Sequence, residues 1–512
     1  MAENKDMENY RATSAEEEED YFDNVELELD YSISVTEGSV ELKKDSIKEQ
    51  KKYMRDSHGD MDDEEFLQNM QLVNNDEAYL TRAAKRLEVY EHQKKNPYFG
   101  KVTFRYDDEG DVIPFYIGMA GYESDMNNEQ LIYDWRAPVS SMYYAYEKGP
   151  ASYTVNTEDM GSEKFTGHII EKKQFVIVNG KLREAVDTDA NINDVILLEA
   201  LGGNSSVKMK SVVATIQKEQ DAIIRNRTAY NLIVDGRAGS GKTVIAMHRL
   251  AWLLYNYKTL DSDKVMILSP NSIFGDYISD VLPELEENSV PEKEFDSLLE
   301  ELLYIDEEYE TKLEQSEFII DSGDQENQRI RNLKVKSSIG FYDRFNEFLE
   351  RYVSEIKFRT FHYQKVEYTG DDISAMFNGR FSRKPVYERF ENIAYFIVDR
   401  VEDNSPKEFP EEKKNNLARQ IQKQMVNLFA ERNLVKLYVD FLAEMEPEYP
   451  GISEYKNEYG KICYEDILPI LYLQVYFYGC NTYNNIKHLV IDEMQDYTIF
   501  QYAILDRIFG CK

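Results

Sequence analysis

The sequence predicts an α/β protein in which a parallel-sheet domain is joined to a helical hairpin, a small β-rich domain and a helical insertion. Two observations predict the parallel sheet. An apolar run precedes a glycine-rich loop and an apolar-periodic helix at 231–255, and a second apolar run ends in two acids at 489–493. A proline-free N-terminal region with heptad-like periodicity predicts the hairpin.

Composition limits the protein classes that fit. The chain has 512 residues, of which 42% are hydrophobic and 13% aromatic, and this allows a sizeable core in about two to four domains. A net charge of −36 argues against a surface that coats nucleic acid or an anionic membrane, although a local basic groove stays compatible with it. The cysteines lack CxxC spacing, so neither a disulfide framework nor a zinc site is predicted. The sequence contains neither the apolar core of a signal peptide nor an apolar run of roughly eighteen residues. These two observations predict a cytoplasmic protein without a membrane partner.

The N-terminal region, residues 1–96, carries 26 acidic against 13 basic residues. Heptad-like intervals separate its later apolar residues, which are Phe66, Met70, Val73, Leu80, Ala84 and Leu87. The preceding segment 40–56 supplies a returning partner, so the pattern predicts an antiparallel helical hairpin. Two interpretations stay open: an arm that reaches into a partner, or a helix pair that packs only on its own domain.

Four further segments follow. Short β-prone stretches and an Asn179-Gly180 turn predict a small β-rich domain at 97–205. Helix, strand and loop signals predict the first part of the parallel-sheet domain at 206–290. A charged, helix-rich insertion is predicted at 291–460, and the second part of the parallel-sheet domain at 461–512.

Residues 236–243, GRAGSGKT, match the pattern GxxxxGK[ST] between a predicted buried strand at 231–235 and a predicted helix. In this pattern glycines let backbone N–H groups surround phosphates, the lysine reaches the β- and γ-phosphates, and the hydroxyl ligates Mg²⁺. The sequence therefore predicts a site for ATP and Mg²⁺, with Thr243 as a metal ligand. The predicted nucleotide-binding residues in this loop are Gly236, Arg237, Ala238, Gly239, Ser240, Gly241, Lys242 and Thr243.

A second predicted buried strand, 489–491, would place Asp492 at its carboxyl end beside the first strand, where open α/β sheets bind ligands. Asp492 is predicted to hold Mg²⁺ through water, and Glu493 to orient or deprotonate the attacking water. Paired acids are common after apolar residues, so this signal depends on Lys242. Gln220 precedes Lys242 by twenty-two residues, and its amide can offer a donor and an acceptor to an adenine edge.

Two features have alternative interpretations. In 377–390, basic and aromatic residues alternate, namely Arg380, Arg383 and Lys384 with Phe377, Phe381 and Phe390. Such a pattern permits base stacking and phosphate contacts, but inward packing of the aromatic rings is favoured. In the stretch DWRAP, Trp135 is predicted to be buried rather than to stack on a base, and Arg136 to pair with an acid near Asp134.

Gln220 and the stretches GRAGSGKT, HRLAWLLY and VIDEMQD resemble the Q motif, motif I and motif II of superfamily 1 helicases of the UvrD/Rep/PcrA type. The stretch VMILSPNSIFGDYISDVLPELEE resembles their motif Ia. The stretches YIGMAGYES, LIYDWRAPVSSMYYAYEKGPASYTV, NPYFGKVTF and MKSVVATIQKEQDAIIRN resemble a narrower group, the HelD-type ATPases that associate with bacterial RNA polymerase. This resemblance implies a RecA-like fold for the P-loop domain. The catalytic residues that it implies are Lys242, Asp492, Glu493 and Gln495.

The resemblance also implies partners, chiefly core RNA polymerase, with single-stranded or duplex DNA as a further candidate. In the HelD-type group an N-terminal helical arm enters the polymerase secondary channel, and an insertion in the first RecA-like domain approaches the primary channel. Residues 1–96 and 291–460 occupy the matching places here. An acidic arm suits a channel that has basic walls and bound Mg²⁺.

A superfamily 1 motor hydrolyses ATP between two RecA-like domains, and the second domain supplies arginines that stabilise charge on the γ-phosphate. No motif III and no second RecA-like domain are recognised after Glu493. The resemblance therefore implies slow hydrolysis through one half-site, by a fragment, a truncated product or a subunit that another polypeptide completes. The leading functional prediction is the ATP-binding N-terminal portion of a helicase-like motor that remodels or recycles RNA polymerase. The alternatives are a non-hydrolysing, nucleotide-gated polymerase regulator and a DNA-repair helicase fragment acting on single-stranded DNA.

Overall fold

The computed structural model describes residues 13–57, 62–108, 110–157, 161–177, 180–187, 213–237, 239–270, 282, 289–322, 327–405, 410–426, 428 and 433–510. They form two compact units, each described by itself. The first comprises Met1–Ser262 and Asp276–Val290, and the second Asp263–Gly275 and Pro291–Lys512. The predicted Asn179, Ala238 and most of the motif Ia stretch lie outside the described residues.

The first unit begins with a pair of long helices, α1 (Ala15–Asp56) and α2 (Asp63–Lys95). A capping box starts α1, since Ser14 Oγ accepts a hydrogen bond from the backbone N–H of Glu17 and Ser14 N–H donates to the Glu17 carboxylate. The helices run antiparallel, because successive residues of α1 contact residues of α2 in reverse order, namely Asp30 with Lys94, Lys43 with Asp76 and Tyr53 with Glu65. The predicted antiparallel helical hairpin is confirmed over these residues.

The proximal part of the hairpin packs on a β-sheet. Residues of both helices share a core with residues of the sheet, namely Phe22, Val25, Leu29, Tyr90, Tyr98, Tyr116, Tyr122, Leu131, Ile132 and Phe175. Farther from this core, Leu42 and Leu67 are 75% and 60% exposed. The base of the hairpin therefore packs on its own sheet, while its distal half presents apolar side chains to solvent. The arm that reaches into a partner stays a prediction.

The described strands of this sheet are β1 (Gly100–Tyr106), β2 (Val112–Gly118), β3 (Tyr122–Glu123), β4 (Gln130–Asp134), β5 (Gly149–Thr157), β6 (Gly161–Ile177) and β7 (Leu182–Asp187). Their order is β3-β4-β2-β1-β6-β5, with β7 beside β6. β2 and β4 are parallel, and the other neighbouring pairs are antiparallel. In the β6 to β7 connection Gly180 has a φ of +69°, as the turn prediction requires. A short helix, α3 (Ser141–Ala145), follows β4.

Two helices complete the described part of the first unit, α4 (Lys218–Ile224) and α5 (Lys242–Asn256). Between them, residues 231–237 form no regular structure, and Ile233 is 70% exposed. The predicted buried strand at 231–235 is therefore wrong in this structure. An apolar run becomes a strand only where a neighbouring strand accepts its hydrogen bonds, and none of the described strands pairs with it.

The second unit contains a parallel sheet of the described strands β8 (Val265–Ser269), β9 (Glu292–Glu294) and β12 (His488–Ile491), in the order β12-β8-β9. Every residue of β8 is buried. The prediction of a strand at 489–491 is confirmed, but its residues are half-buried rather than buried. The strand that pairs with it is β8.

Helices form most of the rest of the second unit. They are α6 (Phe295–Leu302), α7 (Lys312–Ser322), α8 (Gln328–Lys336), α9 (Ile339–Ser354), α10 (Gly370–Ala375), α11 (Val386–Asp403), α12 (Glu411–Val426), α13 (Leu434–Met445), α14 (Tyr464–Tyr478) and α15 (Ile499–Phe509), with the hairpin β10 (Phe361–Tyr363) and β11 (Val366–Tyr368). α14 is buried around its circumference, since its residues from Tyr464 to Phe477 are all buried, so it forms the centre of this unit. Within the described ranges, none of the helices could span a lipid bilayer.

Candidate nucleotide-binding site

The loop before α5 has the backbone that its glycines predict. Gly239 and Gly241 have φ values of +77° and +80°, a region that side chains disfavour. A Cβ atom on Gly236 would lie 2.6 Å from Ser240 Oγ, so a larger residue at this position would displace that hydroxyl. The loop closes on itself through a hydrogen bond from Ser240 N–H to Arg237 O at 3.1 Å.

Lys242 occupies the first helical position of α5. Its ammonium donates to Gly236 O at 3.1 Å and to Arg237 O at 3.4 Å, so it lies over the loop. The helix cap is Gly241, which has no side chain to satisfy the first N–H groups of the helix. An exposed loop, a cation and an uncapped helix N-terminus suit a phosphate chain, since the helix dipole and free N–H groups favour anions there. The residues present therefore fit the phosphates of a nucleotide.

Gln220 lies on α4, a helix of seven residues. Its Oε1 accepts a hydrogen bond from Gln217 N–H at 3.0 Å, so the amide is held at the start of its own helix. Arg249 of α5 reaches the other end of α4 and donates to Ile223 O at 2.9 Å and to Asn226 O at 2.8 Å. The structure thus brings the helix that carries Gln220 against the helix that carries Lys242.

Residues 134–138, called here the DWRAP loop, contact the same two helices. Arg136 forms two hydrogen bonds with the Asp134 carboxylate, at 2.8 and 2.7 Å, and both residues are buried. The predicted pairing of Arg136 with an acid is confirmed. The Arg136 guanidinium also lies 4.7 Å from the centre of the Tyr255 ring of α5.

Trp135 is fully buried, which confirms its predicted structural position. Its ring meets the His248 ring of α5 edge-on, with 5.5 Å between centroids. Burial lowers the pKa of His248 to about 4, so this imidazole is neutral at pH 7. His248 Nδ1 lies 2.7 Å from Val244 O, which indicates a proton on that nitrogen.

The sequence interpretation missed the arginines and the amide that join these parts, Arg225, Arg249 and Asn256. Arg225 donates to Trp135 O at 2.5 Å and to Ala137 O at 3.2 Å. Asn256 donates to Arg136 O at 3.3 Å. Each of these acceptors is a backbone carbonyl, so the residue type at the acceptor position carries no signal that could have revealed the contact.

The predicted catalytic acids follow β12 in the second unit. Asp492 N–H donates to Leu268 O of β8 at 2.9 Å, which extends the pairing of β12 by one residue. Glu493 has a φ of +47°, an uncommon backbone conformation for a residue other than glycine. The Gln495 side-chain amide donates to the Glu493 carboxylate. Lys242 belongs to the first unit and Asp492 to the second. That both residues line one nucleotide pocket therefore stays a prediction.

A cavity of about 320 Å³ lies at the carboxyl ends of the strands of this parallel sheet. It is lined by Ser269, Pro270, Glu294, Phe295, Asp296, Lys312, Leu313, Ser316, Asp496, Tyr497 and Gln501. Three carboxylates and one ammonium face this cavity. Its charge therefore does not favour an anionic ligand, although carboxyl ends of parallel strands are frequent ligand sites.

The alternating basic and aromatic segment of the insertion packs inward. Phe377 and Phe390 are fully buried and stack on each other, with 4.9 Å between centroids. Lys384 pairs with Glu388 at 2.7 Å, and the Arg380 guanidinium lies 4.6 Å from the Phe396 ring centre. The favoured interpretation is confirmed for these two phenylalanines.

Three buried groups in the second unit, Glu310, Cys463 and Glu465, lie close enough to hold a metal ion. Arg329 already supplies the positive charge, since it donates to Glu465 at 2.9 Å and to Glu310 at 3.1 Å. Burial raises the pKa of the Cys463 thiol to about 12, which keeps it protonated. This cluster therefore fits a structural ion pair and not a metal site.

Comparison with known proteins defines the class. Residues 216–512, more than half of the chain, match the family model of the UvrD/REP helicase N-terminal domain, and the chain therefore belongs to the UvrD/Rep helicase family. Residues 15–196 match the family model described as DNA helicase IV HelD, N-terminal domain, which makes this chain a member of the HelD type. A comparison with curated proteins finds no match.

Proposed function

We propose that this chain binds ATP with Mg²⁺ at the loop 236–243 and serves as the nucleotide-binding part of a helicase-like motor that acts on RNA polymerase complexes. The observation that carries the proposal is Lys242, folded over an exposed glycine loop at the uncapped start of α5. Membership of the UvrD/Rep helicase family supports ATP as the nucleotide and a helicase-type ATP hydrolase as the enzyme class.

Five further predicted residues have roles in this proposal. The Thr243 hydroxyl ligates Mg²⁺, and Asp492 holds the same ion through water. Glu493 orients the attacking water, and Gln495 fixes the Glu493 carboxylate through the hydrogen bond already described. Gln220 contacts the adenine edge through its amide.

Lys242→Ala tests nucleotide binding. Loss of the ammonium removes the cation that faces the β- and γ-phosphates, so ATP binding is expected to fall by on the order of a hundredfold or more. The matched control is Lys258→Ala, an exposed lysine just beyond α5, which is expected to keep wild-type affinity. Isothermal titration with Mg-ATP measures both. Equal affinity of the Lys242 variant and the wild type would refute the site.

Glu493→Gln separates binding from hydrolysis. The amide keeps the size of the side chain but cannot accept a proton, so phosphate release should fall while ATP affinity stays unchanged. Asp506→Asn, at an exposed acid of α15, is the control. If Glu493→Gln and wild type release phosphate at the same measurable rate, Glu493 is not the residue that activates water.

The polymerase part of the proposal is supported by the hairpin. At 1.5 Å per residue the 42 residues of α1 span about 63 Å, and only its proximal part is needed for the shared core. The distal half exposes Leu42, Leu67 and Leu72, which suits a surface that another protein covers.

Deleting residues 1–96 would remove Phe22, Val25, Leu29 and Tyr90 from the core, so a smaller change is the better test. Replacing residues 40–79 with four glycines keeps these side chains and removes the distal hairpin. Capture of core RNA polymerase is expected to fall at least tenfold, while ATP binding, the control for folding, stays unchanged. Undiminished capture would refute the role of the hairpin.

A further inference from the structure

The DWRAP loop is tied to the end of the helix that carries Gln220. The Arg225 guanidinium donates to the carbonyl oxygens of Trp135, Arg136 and Ala137 at 2.5, 3.3 and 3.2 Å. Its Nε donates to Asp221 at 2.6 Å, and Asp221 directly follows Gln220. Arg225 therefore joins α4 to the loop after β4, with three hydrogen bonds to the loop and one to α4.

α4 needs such contacts because it is short. A helix of seven residues has no stable position of its own, since isolated helices below roughly a dozen residues are marginal in water. Its position is set by Arg225 on the side of the DWRAP loop and by Arg249 on the side of α5. These two arginines therefore set the position of the helix, and the bond from Gln217 N–H holds the Gln220 amide at the start of that helix.

The DWRAP loop in turn belongs to the sheet that holds the hairpin. β4 leads directly into it, and the carbonyl of Leu131 in β4 accepts a hydrogen bond from Tyr21 OH of α1 at 2.7 Å. Ser140 Oγ donates to Asp134 O at 2.6 Å and fixes the end of the strand. One five-residue strand thus contacts the hairpin near its start and the nucleotide-site helices at its end.

We propose that Arg225 is a positioning residue through which the N-terminal sheet sets the base selectivity of the nucleotide site. This proposal rests on the proposed adenine contact of Gln220. Arg225 acts by holding α4 against the DWRAP loop, so that the Gln220 amide meets adenine in one orientation. Lys242, at the phosphate end of the site, lies at the start of α5, whereas Arg225 contacts α4 and the DWRAP loop.

The test uses the full chain and three ligands, Mg-ATP, Mg-GTP and inorganic tripolyphosphate. For Arg225→Gln the affinity for ATP is expected to fall about tenfold and the ATP-to-GTP ratio to approach one, because a misplaced amide no longer distinguishes the bases. Tripolyphosphate affinity should stay within about twofold of wild type. Lys218→Gln, at an exposed lysine on the same helix, is the matched control and should change none of the three.

The outcomes separate the alternatives. A variant with the wild-type ATP-to-GTP ratio would overturn the proposal, and an equal loss for all three ligands would show a purely structural role. A wild-type chain that binds none of the ligands would contradict the proposed function itself. Hydrogen exchange on the wild-type chain is an independent measurement that needs no variant. ATP, but not tripolyphosphate, is expected to slow exchange at 134–140 and 218–226, and identical exchange with both ligands would also overturn the proposal.

Discussion

Glu18, in the first turn of α1, accepts a hydrogen bond from Lys101 of β1 at 2.7 Å, and neither side chain reaches solvent appreciably. Lys173 donates to the same oxygen of Glu18 at 3.0 Å, and Lys101 also lies 3.1 Å from Glu171. Two carboxylates and two ammonium groups thus neutralise one another inside the first unit. Because a buried charge that loses its partner is costly, this cluster fixes the base of the hairpin on the sheet.

Lys101→Met is expected to lower the free energy of unfolding of the first unit by about 3 kcal/mol, since it leaves two buried carboxylates with one cation. Both tryptophans of the chain, Trp135 and Trp252, lie in this unit, so their fluorescence during urea unfolding measures the change. Lys48→Met is the control, because Lys48 pairs with Asp45 at the exposed surface and its loss should leave the transition unchanged. Coincident transitions for Lys101→Met and wild type would contradict the prediction.

His248 is expected to make the first unit sensitive to acid. Burial lowers its pKa to about 4 from an ordinary value of 6.5, so between these values the unfolded chain binds a proton that the folded chain does not. The contribution of His248 to stability is complete above pH 6.5 and is lost as the pH falls toward 4, by up to about 1.4 kcal/mol per pH unit.

His248→Phe removes this titration and keeps an aromatic ring beside Trp135. The difference in unfolding free energy between variant and wild type, followed by tryptophan fluorescence, should therefore shift in favour of the variant from pH 7 to pH 5. A difference that is the same at both pH values would show that His248 does not titrate in this range.

Replacing Gly236 or Gly239 of the phosphate loop by alanine is expected to lower the ATP affinity, for a different physical reason at each position. A Cβ on Gly236 would lie 2.6 Å from Ser240 Oγ, whereas a Cβ on Gly239 meets no atom within 4 Å but has a φ of +77°. Ser240→Ala should therefore restore part of the ATP affinity lost in Gly236→Ala, because the contacting oxygen is gone. It should not rescue Gly239→Ala, whose strain is in the backbone, at about 1 kcal/mol. Titration of the two double variants measures this, and equal rescue would show that the geometric distinction is wrong.

Arg329→Met is expected to destabilise the second unit by about 3 kcal/mol, because Glu310 and Glu465 would lose the guanidinium between them. Arg344→Met is the matched control, since Arg344 also pairs with a glutamate, Glu448, but at the exposed surface. Its effect should be small because solvent screens the exposed pair. Thermal unfolding followed by circular dichroism compares the two variants, and equal shifts of their midpoints would refute the assigned role of burial.

Prediction from the sequence succeeded where a local pattern decides the structure. The heptad-like spacing around Val73 predicted a helix that pairs with another, and it does so in α2. The pattern of glycines up to Lys242 predicted a phosphate loop followed by a helix, and the structure has a loop with two glycines of positive φ followed by α5. Each of these patterns lies within one short, continuous stretch of sequence, so it can be interpreted without knowing which distant residues pack against it.

Prediction failed where the structure of a segment depends on a part of the chain that is distant in sequence. The apolar run 231–235 has strand-like residues, yet no described strand pairs with it, and Ile233 stays exposed. The predicted strand at 489–491 forms, and its neighbour in the sheet is β8, from which a long stretch of chain separates it. Because paired strands can lie far apart in the sequence, the residue types of one strand do not identify the strand that pairs with it.

Spacing and residue type over short stretches were enough to predict the helical hairpin, the glycine loop with Lys242 and the family. The contacts of the DWRAP loop with α4 and α5, and the hold of Arg225 and Arg249 on the helix of Gln220, became visible only in the folded chain. These arginines bind backbone carbonyls, which every residue possesses. Such acceptors become specific only once the fold brings them within hydrogen-bonding distance.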